Sequence, residues 1–346
     1  MLSACVGGGY LLLLAATPIG GALSTVSERA ASRLPLPFAP LAAVVVFVAI
    51  ASLGFEILSG PLALYRGFLL DRRYGLSFES LATWLADHCK ALAVGLALMV
   101  VAALVVTISR WMSEAWWWVI SAITFGLATL VLATLAPMLL MPMFYRFKPL
   151  EREALRDRLL MLSARAGVPV LGAFEWGLGE KTTRANAALV GLGRTRRIIL
   201  SDTLLQQYSD DGIEVILAHE LAHHVYRDIW YGIALESGTI AVALLAASFV
   251  PASGDLTLLA RIALACFVVS LLLVPVANGW SRRNECRADR FALGLTGRPA
   301  AFISAIKRLG AQNLAEERPS RIARWLFHSH PTIEERVAAA KAFKAA

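Results

Sequence analysis

The chain has 346 residues, of which 58% are hydrophobic and 17% charged, with a mean hydropathy of +0.63. That composition excludes an ordinary soluble globular enzyme. The formal charge of +8 fits nucleic-acid binding in total, but its distribution along the chain argues for membrane topology instead, and no nucleic-acid partner is expected.

Six apolar runs, near residues 4–23, 39–59, 89–108, 116–141, 229–251 and 257–280, approach the roughly 20 residues needed to cross a bilayer. The first contains Gly7-Gly8-Gly9, Pro18 and Gly20-Gly21 and has no basic residue before it, unlike a signal peptide, so it is read as a helix. Between the second and third runs, Tyr65-Arg66-Gly67-Phe68-Leu69-Leu70-Asp71-Arg72-Arg73-Tyr74-Gly75-Leu76-Ser77 reads as an interfacial turn with aromatics at the headgroups. Trp116, Trp117 and Trp118 open the fourth run as an aromatic belt, and Pro137 and Pro142 close it.

With six spans and both ends on one side, that side collects 29 of the 33 lysines and arginines. The positive-inside rule then places the basic side in the cytoplasm. High alanine content and compact loops point to a bacterium, so the expected location is a bacterial inner membrane, crossed several times.

Residues 148–228 form the first soluble stretch. An amphipathic helix is expected from Glu151 to Ala166, closed by Gly167 and Pro169. A strand over 184–190, a turn at Gly191-Leu192-Gly193 and a returning strand at Arg197–Leu200 predict a hairpin. It serves either as a purely structural element or as an edge to which a substrate adds as a strand. Asp202 is expected to cap a short helix, and Asp210 or Asp211 to cap the helix that follows.

That next helix carries His219-Glu220-Leu221-Ala222-His223, an instance of H-E-x-x-H. Positions i and i+4 share a helix face, so both imidazoles can point at one ion, and Glu220 can act as general base toward the attacking water. Zinc takes imidazole nitrogen readily and needs a third protein ligand with one position left open. Glu285 is that third ligand, and Asp289, one turn along, is placed to accept the other N–H of a ligating histidine. Taken alone, Glu285 and Asp289 read equally as members of a charged helix paired with Arg282 and Arg287. Joined to H-E-x-x-H across two apolar spans, the metal reading prevails. His224 points about 100° away from His223 and should not share the metal. Cys5, Cys89, Cys266 and Cys286 show no C-x-x-C spacing, and Cys286 has no evident base beside it, so neither a thiolate metal site nor a cysteine nucleophile is expected.

The ordered set HELAHH, a membrane hairpin, SRRNECRAD and HSHPTIEERVAAA resembles the type I CaaX prenyl protease family and its prokaryotic relatives, with the HtpX heat-shock proteases more distant. Asn186-Ala187 with Gly191, Ile199–Leu205, the Tyr65–Leu76 segment and Pro142-Met143-Phe144 with Pro149-Leu150 extend the likeness over about residues 60–336. The resemblance implies His219, His223 and Glu285 as ligands to one zinc and Glu220 as base. It implies Asp289 as a second support or proton donor, and Asn186-Ala187 as the edge that pairs with substrate. It further implies that His330 and Arg336 line the site, His330 as an oxyanion stabiliser. Departures are Asp71 in place of the usual Glu, Ala222 for a common Gly, and Asp228 where many eukaryotic members have His.

The expected fold is therefore mainly α: a polytopic membrane protein of about six spans with a zincin-like metalloprotease domain that carries a small β-hairpin or sheet. The expected division is 1–147 as a membrane domain of about four spans and 148–228 as the first protease part. A transmembrane hairpin over 229–281 and the second protease part over 282–346 follow. The expected substrates are peptides or proteins at the lipid bilayer, either prenylated CaaX-type or misfolded membrane proteins. An inactive membrane chaperone that keeps the fold is the alternative. A transporter is excluded because the apolar runs contain almost no metal ligands.

Overall fold

The structure, a computed structural model, describes residues 2–35, 38–191, 193–314 and 319–343. The chain forms two compact units, one of residues 1–73, 80–129 and 235–273, the other of 74–79, 130–234 and 274–346.

In the first unit, α1 (Leu2–Ala16) and α2 (Pro18–Ala31) replace the single helix expected over 4–23, with a bend of 72° between them. The cause is local. Pro18 has no N–H to give to a continuing helix, and the Thr17 hydroxyl caps α2 by accepting from the Ile19 N–H. Helices α3 (Phe38–Leu64), α4 (Leu81–Met112) and α5 (Trp117–Leu139) follow. With Asp228–Ser248 and Thr257–Thr296, the described residues hold five helices long and apolar enough to cross a membrane, or six if the bent pair counts as one. Leu53, Ile57, Met99, Val101, Ile123 and Leu127 stand exposed on these helices. A helix apolar on its outer faces is stable where the surrounding solvent is hydrocarbon. Val106, Trp117, Leu244, Ala247, Leu258 and Ile262 form a buried cluster within the unit. The expected turn after α3 is instead helical: the chain continues through a π-helical turn, Tyr65–Leu70, into Asp71–Arg73.

The second unit is built on a four-stranded sheet of β1 (Phe147–Pro149), β2 (Ala173–Trp176), β3 (Ala187–Val190) and β4 (Arg197–Ser201), in the order β1-β2-β4-β3. Strands β3 and β4 are the expected hairpin, antiparallel with Ala187 opposite Leu200; Leu192 of its turn lies outside the described residues. Strands β1 and β2 were not foreseen, because three or four residues carry no readable alternation. Helix α6 (Glu153–Arg165) buries Leu155, Leu159 and Leu162, spaced four and three apart, against the sheet core of Ile198 and Leu200.

Ser201 caps α7 (Asp202–Gln207), and Ser209 caps α8 (Asp210–Val225), each through its side-chain oxygen. The expected aspartate caps sit one or two residues further in. Asp202 accepts from the Leu178 and Gly179 N–H groups instead. Asp210 and Asp211 lie in the first turn of α8, where the helix dipole favours negative charge. Residues 212–222 of α8 are all buried except Glu220. Ile213, Leu217 and Leu221 are wholly buried, each contributing roughly 1.5–3 kcal/mol by removal from water. Helices α9 (Asp228–Ser248) and α10 (Thr257–Thr296) give residues to both units. Helices α11 (Pro299–Gln312), α12 (Arg321–Phe327) and α13 (Ile333–Ala342) complete the second unit.

Candidate metal centre

Helix α8 presents His219 and His223 on one face, with their rings 5.1 Å apart. Helix α10 brings Glu285 to them: its carboxylate oxygens lie 3.2 Å from His219 Nε2 and 3.5 Å from His223 Nε2. Ligand atoms of the three residues all fall within 4.8 Å of one another, the one such cluster among the described residues.

Each imidazole is fixed by a carboxylate behind it. His219 Nδ1 is 2.9 Å from Asp289 Oδ1, and His223 Nδ1 is 2.9 Å from Asp228 Oδ2. An ionised carboxylate only accepts, so both Nδ1 atoms carry the proton and both Nε2 lone pairs face Glu285. Asp289 is held in turn by Arg336, whose Nη2 and Nε donate at 2.6 and 2.8 Å. Asp228 accepts from Arg287, whose guanidinium also lies 4.2 Å over the Tyr226 ring. The sequence reading noted Asp228 only as a departure and missed this role. The available signal was its position just past the end of α8. There Arg227 takes a left-handed φ of 60°, which ends the helix and turns Asp228 back toward His223.

The residues fit a zinc ion. Two imidazole nitrogens and one carboxylate, with room for a fourth ligand, are the donor set of catalytic zinc. Glu285 Oε2 is buried, yet among the described residues no hydrogen bond of sound geometry reaches it, although His330 Nδ1 lies 2.8 Å away. A cation at that point would satisfy it. The charge balance points the same way. Burial opposes protonation of His219, but the Asp289 and Glu285 carboxylates outweigh it and push its pKa up to about 9. The pocket demands positive charge, which a dication supplies while leaving the imidazole neutral.

Glu220, partly buried on α8, lines a cavity of about 470 Å³ whose wall includes Asn186, His219, Glu285, His330 and Arg336. Burial pushes its carboxyl pKa above the ordinary range, with smaller opposing effects from His219 and His223. His330 is well exposed in the loop after α12, where the Arg282 guanidinium donates to the His328 carbonyl at 2.5 Å. Arg336 is buried, and its Nε and Nη2 donate to Asp289. Asn186 stands just before β3, its N–H donating to Ser201 Oγ at 2.9 Å, and Ala187 opens the strand. His224 stays away from the metal cluster, as expected, and reaches the Leu189 carbonyl at 3.0 Å. Burial keeps its pKa below the usual imidazole value.

Residues 149–344 match the sequence profile of peptidase family M48, more than half of the chain. The chain belongs to peptidase family M48. Residues 8–146 match a second profile, the CAAX prenyl protease N-terminal region with five membrane helices. This M48 peptidase is 27% identical over 308 residues to an uncharacterized metalloprotease, YhfN, of Bacillus subtilis, covering 84% of this chain and 71% of that one. It is 29% identical to a probable CAAX prenyl protease 1 of Schizosaccharomyces pombe, covering 80% of this chain and 61% of that protein. It is 25% identical to the human CAAX prenyl protease 1 homolog, covering 86% and 74%. The crystal structure of S. mikatae Ste24p shares its fold, with a TM-score of 0.80 at 20% identity over 93% of this chain and 81% of that one. Family and geometry together make the chain an integral, multi-pass membrane metalloendopeptidase that uses zinc.

Proposed function

We propose that His219, His223 and Glu285 hold the zinc, that Glu220 is the general base, and that the β3 edge at Asn186-Ala187 receives the substrate as an added strand. The pair of carboxylate-anchored imidazoles facing Glu285, beside a cavity that also admits Glu220, carries this reading. When bound, zinc supplies a Lewis acid that polarises the scissile carbonyl and makes water more acidic. Glu220 takes a proton from the attacking water and delivers it to the leaving amine. Asp289 and Asp228 hold the two imidazoles in the tautomer that offers Nε2. To His330, which lines the cavity, we assign donation to the developing oxyanion.

The substrates are peptides or proteins at the bilayer. Glu285 lies on the same continuous helix as the apolar residues from Thr257 onward, which supports a site close to the membrane surface. Of the two substrate classes, misfolded membrane proteins are favoured over prenylated CaaX peptides for a chain of bacterial character. The charge distribution supports a bacterial inner membrane with the zinc site facing the cytoplasm. The test is to incubate purified protein with a prenylated CaaX peptide and, separately, with an unfolded membrane protein, with and without chelator. Mass-spectrometric mapping should find chelator-sensitive cuts in the unfolded protein; cleavage confined to the prenylated peptide would reverse the order, and cuts that survive the chelator would reject the metal mechanism.

A further inference from the structure

The edge that the proposed function gives to substrate is shorter than the strand itself. Strand β3 pairs with β4 on one side only, and no strand lies on its other side among the described residues. The Ser201 N–H donates to the Asn186 carbonyl, so the 186/201 pair is hydrogen-bonded across the ladder. Antiparallel alternation then directs the N–H and C=O of Ala187 and Leu189 outward. Within β3 those four groups are the outward-facing ones, and at its C-terminal end the edge stops there, since Val190 is followed by a turn in which Gly191 adopts φ +91°. One of the four is already taken: His224 Nε2 lies 3.0 Å from the Leu189 carbonyl. A carbonyl accepts only, so the imidazole donates. His224 comes from the last turn of α8, directly after His223, so the helix that carries the metal histidines closes over the edge at this point.

We propose that His224 sets the length of the paired substrate by closing the far end of the β3 edge. This rests on the strand-addition reading given above. A substrate strand laid antiparallel exchanges two hydrogen bonds with Ala187. The residue two positions along receives one bond from the Leu189 N–H and finds no acceptor for its own N–H. Selectivity on that side of the scissile bond therefore ends at Leu189, and His224 is a specificity-determining residue that leaves the chemistry itself to Glu220.

The experiment uses the full chain in detergent and a fluorogenic decapeptide taken from a mapped cut site in β-casein, with each backbone N–H methylated in turn. In wild type, methylation opposite Ala187 raises KM about threefold to tenfold, the worth of one hydrogen bond, and methylation two residues along has no effect. In His224→Phe that second position becomes sensitive by a similar factor, and KM for the unmethylated peptide falls. His224→Gln, which keeps an N–H donor, returns the wild-type pattern. Zinc content is measured on each preparation. A wild-type enzyme already sensitive at both positions overturns the proposal, as does a His224→Phe enzyme with an unchanged pattern. If methylation has no effect anywhere in wild type, strand addition itself fails and the proposal falls with it.

Discussion

Three aspartate–arginine pairs of the protease unit form a series in burial, and two of them stand behind the proposed metal ligands. Asp289 and Arg336 are 4% and 9% exposed, and Asp289 comes from α10, a different helix from the histidine it holds. Asp228 and Arg287 are 8% and 41% exposed, and Asp228 lies five residues from the histidine it holds. Asp211 and Arg158 are 52% and 33% exposed and touch neither ligand. The two inner pairs do the same work, an Nδ1 contact of 2.9 Å each, with different support. The His219 side is locked by the tertiary fold, whereas the His223 side is locked by a helix break and a half-exposed arginine. Breaking the first should therefore disturb folding and metal together, and breaking the second chiefly the metal.

The largest effect is expected for Asp289→Ala. It leaves Arg336 buried without its partner, a loss of about 3–5 kcal/mol, and frees His219 to turn. Thermal unfolding with zinc titration should show both losses; a stable protein with intact zinc affinity would remove Asp289 from its role. Asp228→Ala comes next. Zinc affinity should fall about 10- to 100-fold while stability changes little, because Arg287 can turn to water. Equal destabilisation by the two substitutions would erase the distinction drawn here.

Much of this was legible in the sequence. The clustering of His219, His223 and Glu285 could be read because H-E-x-x-H puts its donors on one helix face and Glu285-x-x-x-Asp289 repeats that spacing on another. The six apolar runs were equally plain. The bend at Thr17 was not foreseen, although Pro18 was noted, because a single proline leaves open whether a helix kinks or stops. Asp228 was passed over because its role depends on a left-handed φ at Arg227, which arginine does not advertise. His224 lies outside the His219–His223–Glu285 cluster, and its contact with Leu189 comes from the packing of helix on strand, which no local pattern encodes.

Arg287→Met sharpens the middle of the series. The arginine is partly exposed, so its loss should cost about 1 kcal/mol or less and lower zinc affinity less than Asp228→Ala does. A larger drop than that of Asp228→Ala would mean that the arginine acts on the site by another route. The smallest effect is expected at the outer pair. Hydrogen bonding to the Arg158 guanidinium, with help from Arg298, holds the Asp211 carboxyl below its usual pKa. A depressed carboxylate stabilises the fold above its unfolded value, near pH 4, and the contribution is lost as pH falls through the lower folded value. Asp211→Asn should thus cost under about 1 kcal/mol at pH 7, and the difference from wild type should shrink on acidification. A difference that grows toward low pH would have the wrong sign.

The central claim, that two helices hold a zinc beside a carboxylate base, meets its most direct test in Glu220→Gln, with zinc content and turnover of an unfolded protein substrate measured on the same preparation. The expected result is one zinc per chain and no cleavage above background. Turnover retained by a zinc-loaded Glu220→Gln enzyme would contradict it.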